Sequence, residues 1–82
     1  MPLSEEVRNI ISETIKNGSR ELYLARNRIG ADEAIALAAE LKQIPNLTYL
    51  NLGGNNIGDK GGEALVQNLR HTNIIGTTLT SN

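Results

Sequence analysis

The sequence contains no cysteine, no phenylalanine and no tryptophan, and only one histidine, in 82 residues. Without cysteine there is no disulfide framework and no thiolate metal site. One histidine excludes a metal centre built on several imidazoles. Two tyrosines are the whole aromatic complement, so a core must come from Leu, Ile, Val and Ala. Neither sign of charge dominates. The formal net charge is −1, which argues against a general nucleic-acid binder. No apolar run approaches the ~18 residues that suggest a membrane-spanning helix. The start, MPLSEEVRNII, is acidic and lacks a continuous apolar stretch, so it does not read as a signal peptide. With the lack of cysteine, this favours the cytoplasm of the producing cell.

Catalytic and cofactor signatures are also missing. There is no Walker-type Gly-Lys-Ser/Thr and no G-x-G-x-x-G after a strand. Residues Asn55 to Asp59 lack the further acidic ligands and closing Glu of a calcium loop. No nucleophile or carboxylate accompanies His71 at a catalytic spacing. His71 instead suits a helix end, where a cation complements the dipole. No enzyme activity, no cofactor and no metal are expected.

What the sequence does contain is a repeat. Leu22, Leu24, Asn27, Ile29 and Gly30 recur as Leu50, Leu52, Asn55, Ile57 and Gly58, each at an interval of 28. The match continues through Ala36 and Ala64, Leu37 and Leu65, and Leu41 and Leu69. Such internal periods mark repeat architectures. Each unit holds two periodicities. Leu22 and Leu24 alternate with outward residues as in a short strand, and so do Leu50 and Leu52. Ala34, Leu37, Ala38 and Leu41 then follow helical 3/4 spacing, as do Gly62, Leu65, Val66 and Leu69. Pro45 closes the first of these helices. A strand–helix unit cannot bury its apolar face alone, whereas stacked copies bury it together.

The details that recur in both units have physical reasons. Where the chain turns from strand to helix, backbone groups lose their ladder partners. An inward Asn amide both donates and accepts, so Asn27 and Asn55 are expected to satisfy backbone groups of their own and adjacent units. Ile29 and Ile57 plug the corner. Gly30 and Gly58 relax the backbone before the helix, and Gly62 is expected to let its helix approach the sheet.

The pattern L-x-L-x-x-N-x-I-G followed by A-x-A-L-x-x-x-L resembles the leucine-rich repeat family. The period of 28 and the stretch from Ile57 to Leu65 are similar to its ribonuclease-inhibitor-like subfamily and to short repeats of many bacterial sequences. The resemblance covers residues 19–69. It implies an α/β solenoid with parallel strands on a concave face and helices on the convex face. It implies protein binding on the concave face, and it also allows a bacterial effector that engages host proteins. The first unit departs from the pattern with Ala31 and Glu33 where the second has Asp59 and Gly61.

The expected organisation is one domain over residues 1–82. It divides into a capping helix (1–18), repeat one (19–46), repeat two (47–73) and a partial third repeat (74–82). Ser4 is the expected N-cap, with Glu5 and Glu6 in the first turn and Lys16, Asn17 and Gly18 as the stop. Val7, Ile10, Ile11 and Ile15, with Thr14 beside them, form the apolar stripe of this helix. Ile35, opposite Glu63 one unit on, is expected to face something apolar. The C-terminal residues admit two registers. One sets Thr77 at the place of Leu50 and Asn82 at the place of Asn55. The other sets Leu79 against Leu47.

Alternation turns Glu21 and Tyr23 outward in the first strand and Tyr49 and Asn51 in the second. With Arg26 these form the candidate partner-binding face. The two tyrosines have two readings: an interface, where Tyr gives contact area at low entropy cost, or mutual cover on a solvated sheet. Arg20, Arg26 and Arg28 read either as an acid- or phosphate-binding set or as solvated charges. Asn27, Asn55 and Asn82 form the expected structural Asn ladder. Ile74, Ile75 and Leu79 mark an open sheet edge where a homodimer is expected. The leading function is non-enzymatic binding of a protein partner. The alternative is a self-assembling repeat fragment with no other ligand. Neither reading involves nucleic acid or membrane.

Overall fold

A computed structural model describes residues 3–82; Met1 and Pro2, the first residues of the expected cap, lie outside them. Six elements follow in order: α1 (Glu5–Lys16), β1 (Glu21–Tyr23), α2 (Ala31–Leu41), β2 (Tyr49–Asn51), α3 (Gly58–Leu69) and β3 (Gly76–Thr78).

Helix α1 starts where Ser4 Oγ accepts the Val7 amide at 3.2 Å, with Glu5 and Glu6 beside the positive end of the dipole. It ends in a complete Schellman motif. Gly18 N–H donates to Ile15 O at 3.1 Å and Ser19 N–H to Thr14 O at 3.1 Å. Gly18 has φ +65, the left-handed conformation the motif requires. The buried side is Val7, Ile11 and Thr14, with Ile10 partly covered. Leu3 joins the same cluster. Ile15 does not: it lies beyond the buried side and is half-exposed. Thr14 takes the inner position because its hydroxyl donates to Ile10 O at 2.8 Å, leaving no unpaired polar atom.

The strands form one parallel sheet in the order β1-β2-β3. Glu21, Leu22 and Tyr23 pair with Tyr49, Leu50 and Asn51. These in turn pair with Gly76, Thr77 and Thr78. The third strand therefore takes the register that sets Thr77 at the place of Leu50. Beyond the strands the ladder continues: Arg26 N–H donates to Gly53 O and Gly54 N–H to Thr80 O, both at 2.9 Å.

One sheet face turns to the helices. Leu22, Leu24, Leu50 and Leu52 are fully buried there with Ile29, Leu37, Leu41, Leu47 and Leu65. Ala34, Leu37, Ala38 and Leu41 make the buried side of α2. In α3 the buried residues are Gly61, Leu65 and Leu69, which corrects two expectations. Val66 is 44% exposed although its counterpart Ala38 is fully buried. The difference is the neighbour: α3 packs on α2, while among the described residues no helix covers the other side of α3. Gly62 stands open, with nothing within 4 Å of a side chain placed there. Gly61 is the close-contact glycine, and its neighbour is α2 rather than the sheet. A Cβ at Gly61 would lie 2.8 Å from Ala31 Cα.

Two further expectations change. Ile35 is 45% exposed; its neighbour Ala36 faces α1 instead, across a groove shared with Leu3 and Ile11. Gly58 has the left-handed φ of +72, but Gly30 is extended, at φ −92, a conformation open to any residue. In the first unit the glycine amide instead donates to Glu33 Oε1 at 3.1 Å, so Glu33 closes the start of α2.

Candidate functional site

The sheet face away from the helices carries Glu21, Tyr23, Tyr49, Asn51, Gly76 and Thr78. Strand alternation places them there, because the intervening Leu22 and Leu50 face the core and Thr77 takes the same side of β3. Tyr23 and Tyr49 sit diagonally across β1 and β2. Their ring centroids are 6.0 Å apart with planes tilted by 59°, within the range of favourable tilted aromatic pairs. Tyr23 is half-exposed, and its hydroxyl donates to Glu21 Oε1. That hydrogen bond, reinforced by slight desolvation and the Glu21 charge, holds the Tyr23 pKa above its ordinary value of 10.0. The Tyr49 ring lies across β3, and its hydroxyl shares a hydrogen bond with Thr78 Oγ1. A Cβ at Gly76 would come within 3.0 Å of that ring, so a glycine there leaves room for it.

Asn51 and Arg26 lie toward the other end of the face. Asn51 Oδ1 accepts the Gly53 amide at 2.9 Å. Arg26 has a left-handed backbone, φ 58, as do its counterparts Gly54 at φ 69 and Ser81 at φ 61. Its side chain runs over the next unit: a Cβ at Gly54 would lie 2.9 Å from Arg26 Cγ. Arg26 and Asn51 share a shallow depression of about 410 Å3 with Gly53, Gly54, Thr80 and Ser81. Gly54 was outside the set of binding residues read from the sequence, whereas Thr78 and Thr80 fall outward by strand alternation once the third strand takes the register that sets Thr77 with Leu50. The signal that finds Gly54 is lateral: it follows Arg26 at one repeat interval.

The three asparagines do not act alike. Asn55 Oδ1 accepts from Asn27 N at 2.8 Å and Ile29 N at 2.9 Å. Its amide donates to Leu24 O at 3.0 Å and Leu52 O at 2.9 Å. It thus ties unit one to unit two. Asn82 does the same one unit on, accepting from Ile57 N at 3.1 Å and donating to Leu52 O at 2.8 Å. Asn27 donates within its own turn, to Ala25 O at 3.0 Å; α1 precedes it and offers no equivalent turn to bridge. Of the edge residues, Ile74 and Leu79 pack partly against the core. Ile75 is 91% exposed.

Residues 43–66, which hold β2, the Asn55 turn and the first half of α3, match a family model described as leucine-rich repeat. The mouse Tonsoku-like protein is 39% identical over 64 residues, which cover 67% of this chain and 5% of that protein. The comparisons support the leucine-rich repeat family. The chain spans about one-twentieth of the length of the curated relative it matches. No solved structure matches it. Leucine-rich repeats generally mediate protein–protein interaction and are generally non-enzymatic. The helices and parallel three-stranded sheet fit an α/β repeat fold. Among the described residues no helix is long and apolar enough to cross a membrane.

Proposed function

We propose that this leucine-rich repeat chain is a non-enzymatic protein-binding module that engages its partner on the open sheet face through Glu21, Tyr23, Arg26, Tyr49 and Asn51. In this reading the chain is a short solenoid of the ribonuclease-inhibitor-like kind. Residues 1–18 cap it, 19–46 and 47–73 are full repeats, and 74–82 begin a third. The observation that supports it best is the Tyr23–Tyr49 pair, a 6.0 Å tilted aromatic pair on an otherwise small and polar face. Tyrosines already held in place by Glu21 and Thr78 lose little freedom when a partner covers them. Affinity capture from lysate with mass spectrometry, comparing the parent with a Tyr23→Ala/Tyr49→Ala variant, tests it. Partners lost by the variant while its melting curve is kept support the reading. Identical partner sets defeat it.

A second reading is self-assembly through the C-terminal edge. Thr77 stands exposed where Leu50 is buried, and Ile75 and Val66 are exposed nearby. A second copy covering this end would bury them. Sedimentation at micromolar concentration decides: a monomer mass unchanged by Leu79→Lys removes this reading.

A further inference from the structure

The depression at the Arg26 end of the sheet face has a wall chemistry of one sign. Among the described residues, Arg26 is its one charged lining residue. The polar groups around it are donors or can donate. Asn51 turns its Oδ1 to the Gly53 amide, which leaves its Nδ2 hydrogens on the opposite side of the carboxamide. Thr80 Oγ1 lies close by, 3.3 Å from where a Gly53 side chain would begin. Ser81 brings a further hydroxyl to the same depression.

Arg26 is placed at some cost. Its backbone is left-handed, at φ 58, a conformation that disfavours any residue with a Cβ. Gly54, itself at φ 69, has no side chain where Arg26 Cγ passes. The Arg26 side chain is thereby laid over Gly54 of the second unit, and it lines the depression together with Thr80 and Ser81. The acidic group of the same face, Glu21, is engaged at the far end by the Tyr23 hydroxyl.

We propose that this depression receives the carboxylate of an Asp or Glu side chain on a partner segment, with Arg26 as the charged donor and Asn51 Nδ2 and Thr80 Oγ1 as neutral donors. A guanidinium pairs well with a carboxylate, two N–H groups to two oxygens. One positive charge matches the single charge of a carboxylate better than the roughly twofold charge of a phosphate. The inference rests on the sheet face being the binding surface and adds the chemistry of what binds there.

The test uses three blocked pentapeptides, Ala-Leu-X-Leu-Ala, with X as Glu, Gln or phosphoserine, titrated to millimolar concentration against the 15N-labelled chain. The Glu peptide is expected to give saturable shifts at the Asn51 side-chain amide and at the Gly53, Gly54 and Thr80 amides. Its affinity should exceed that of the Gln peptide by about tenfold or more, the effect of one charge-assisted hydrogen bond. Arg26→Gln should abolish the difference between Glu and Gln while the rest of the spectrum stays in place. Thr80→Val should weaken the Glu peptide and leave the Gln peptide less affected. Equal binding of Glu and Gln, shifts centred elsewhere, a preference for phosphoserine, or no shift with any peptide overturns the inference. A partner captured in a Tyr23- and Tyr49-dependent way that binds Arg26→Gln as well as the parent overturns it while leaving the sheet-face reading standing.

Discussion

Asn55 completes the turn that Asn27 opens. The backbone amide of Asn27 reaches the Asn55 carboxamide oxygen at 2.8 Å, and that oxygen also accepts the Ile29 amide. The same side chain donates to a carbonyl on each unit, Leu24 and Leu52. One buried amide thus supplies partners to groups that the ends of two strands leave without ladder bonds, and among the described residues no buried side-chain polar atom lacks a partner.

Asn55→Ala should therefore cost about 1–3 kcal/mol, because buried amides and carbonyls lose their partner. Asn27→Ala should cost less, since Asn27 bonds within its own turn. Equilibrium urea unfolding measures both. Two variants within about 0.3 kcal/mol of the parent, the scale of neutral surface changes, would show that the bridging bonds contribute nothing.

Adjacent glycines in α3 should respond in opposite directions. Gly61→Ala should destabilise by about 1–3 kcal/mol, since its methyl would press into Ala31 and Ile57. Gly62→Ala should stabilise by about 0.4–1 kcal/mol, because its place is open and the helix loses a flexible residue. Thermal unfolding of the two single variants, side by side, gives the comparison. Matching shifts would contradict the packing of α3 on α2.

Gly54→Ala should lower stability by about 1–2 kcal/mol, the cost of a side chain in the left-handed region at φ 69. It should also push the Arg26 side chain aside. Arg26→Gly should be neutral to stabilising, because glycine removes the same strain at φ 58. A clear destabilisation by Arg26→Gly in urea unfolding would mean that the arginine holds the fold.

Removing residues 1–17 should expose the apolar surface that Leu3, Val7 and Ile11 cover. The shortened chain should aggregate or melt without cooperativity. A soluble, sharply melting product would assign α1 no capping role.

Tyr23 should titrate above 10.0, because its proton is held by the Glu21 carboxylate. The folded pKa is raised relative to the unfolded one. Any stability this bond contributes is therefore complete below the unfolded pKa and is lost as pH rises through the folded value. Ultraviolet difference titration of a Tyr49→Phe background isolates Tyr23. Glu21→Gln should bring its pKa back down, and an unchanged titration would rule out the hydrogen bond in solution.

The interval of 28 residues, the strand–helix alternation within it and the places of the asparagines were legible from residue type alone. Each rests on local physics: side-chain period, leucine spacing, and the need to satisfy turn amides. Which side of each helix is buried was decided by the neighbour. Ile15 and Val66 continue the apolar stripes of their helices, and Ile35 is apolar where the next unit has Glu63, yet all three lie exposed. Gly61 rather than Gly62 meets α2, because Gly61 lies on the side of α3 that packs against α2 and Gly62 does not. The register of β3 was open between two pairings, and sheet pairing together with the Asn82 bond to Ile57 selected one. The passage of Arg26 over Gly54 had no sequence signal within either unit. It arises only when the parallel sheet sets two units side by side, so that a residue of one lies over the glycine of the next.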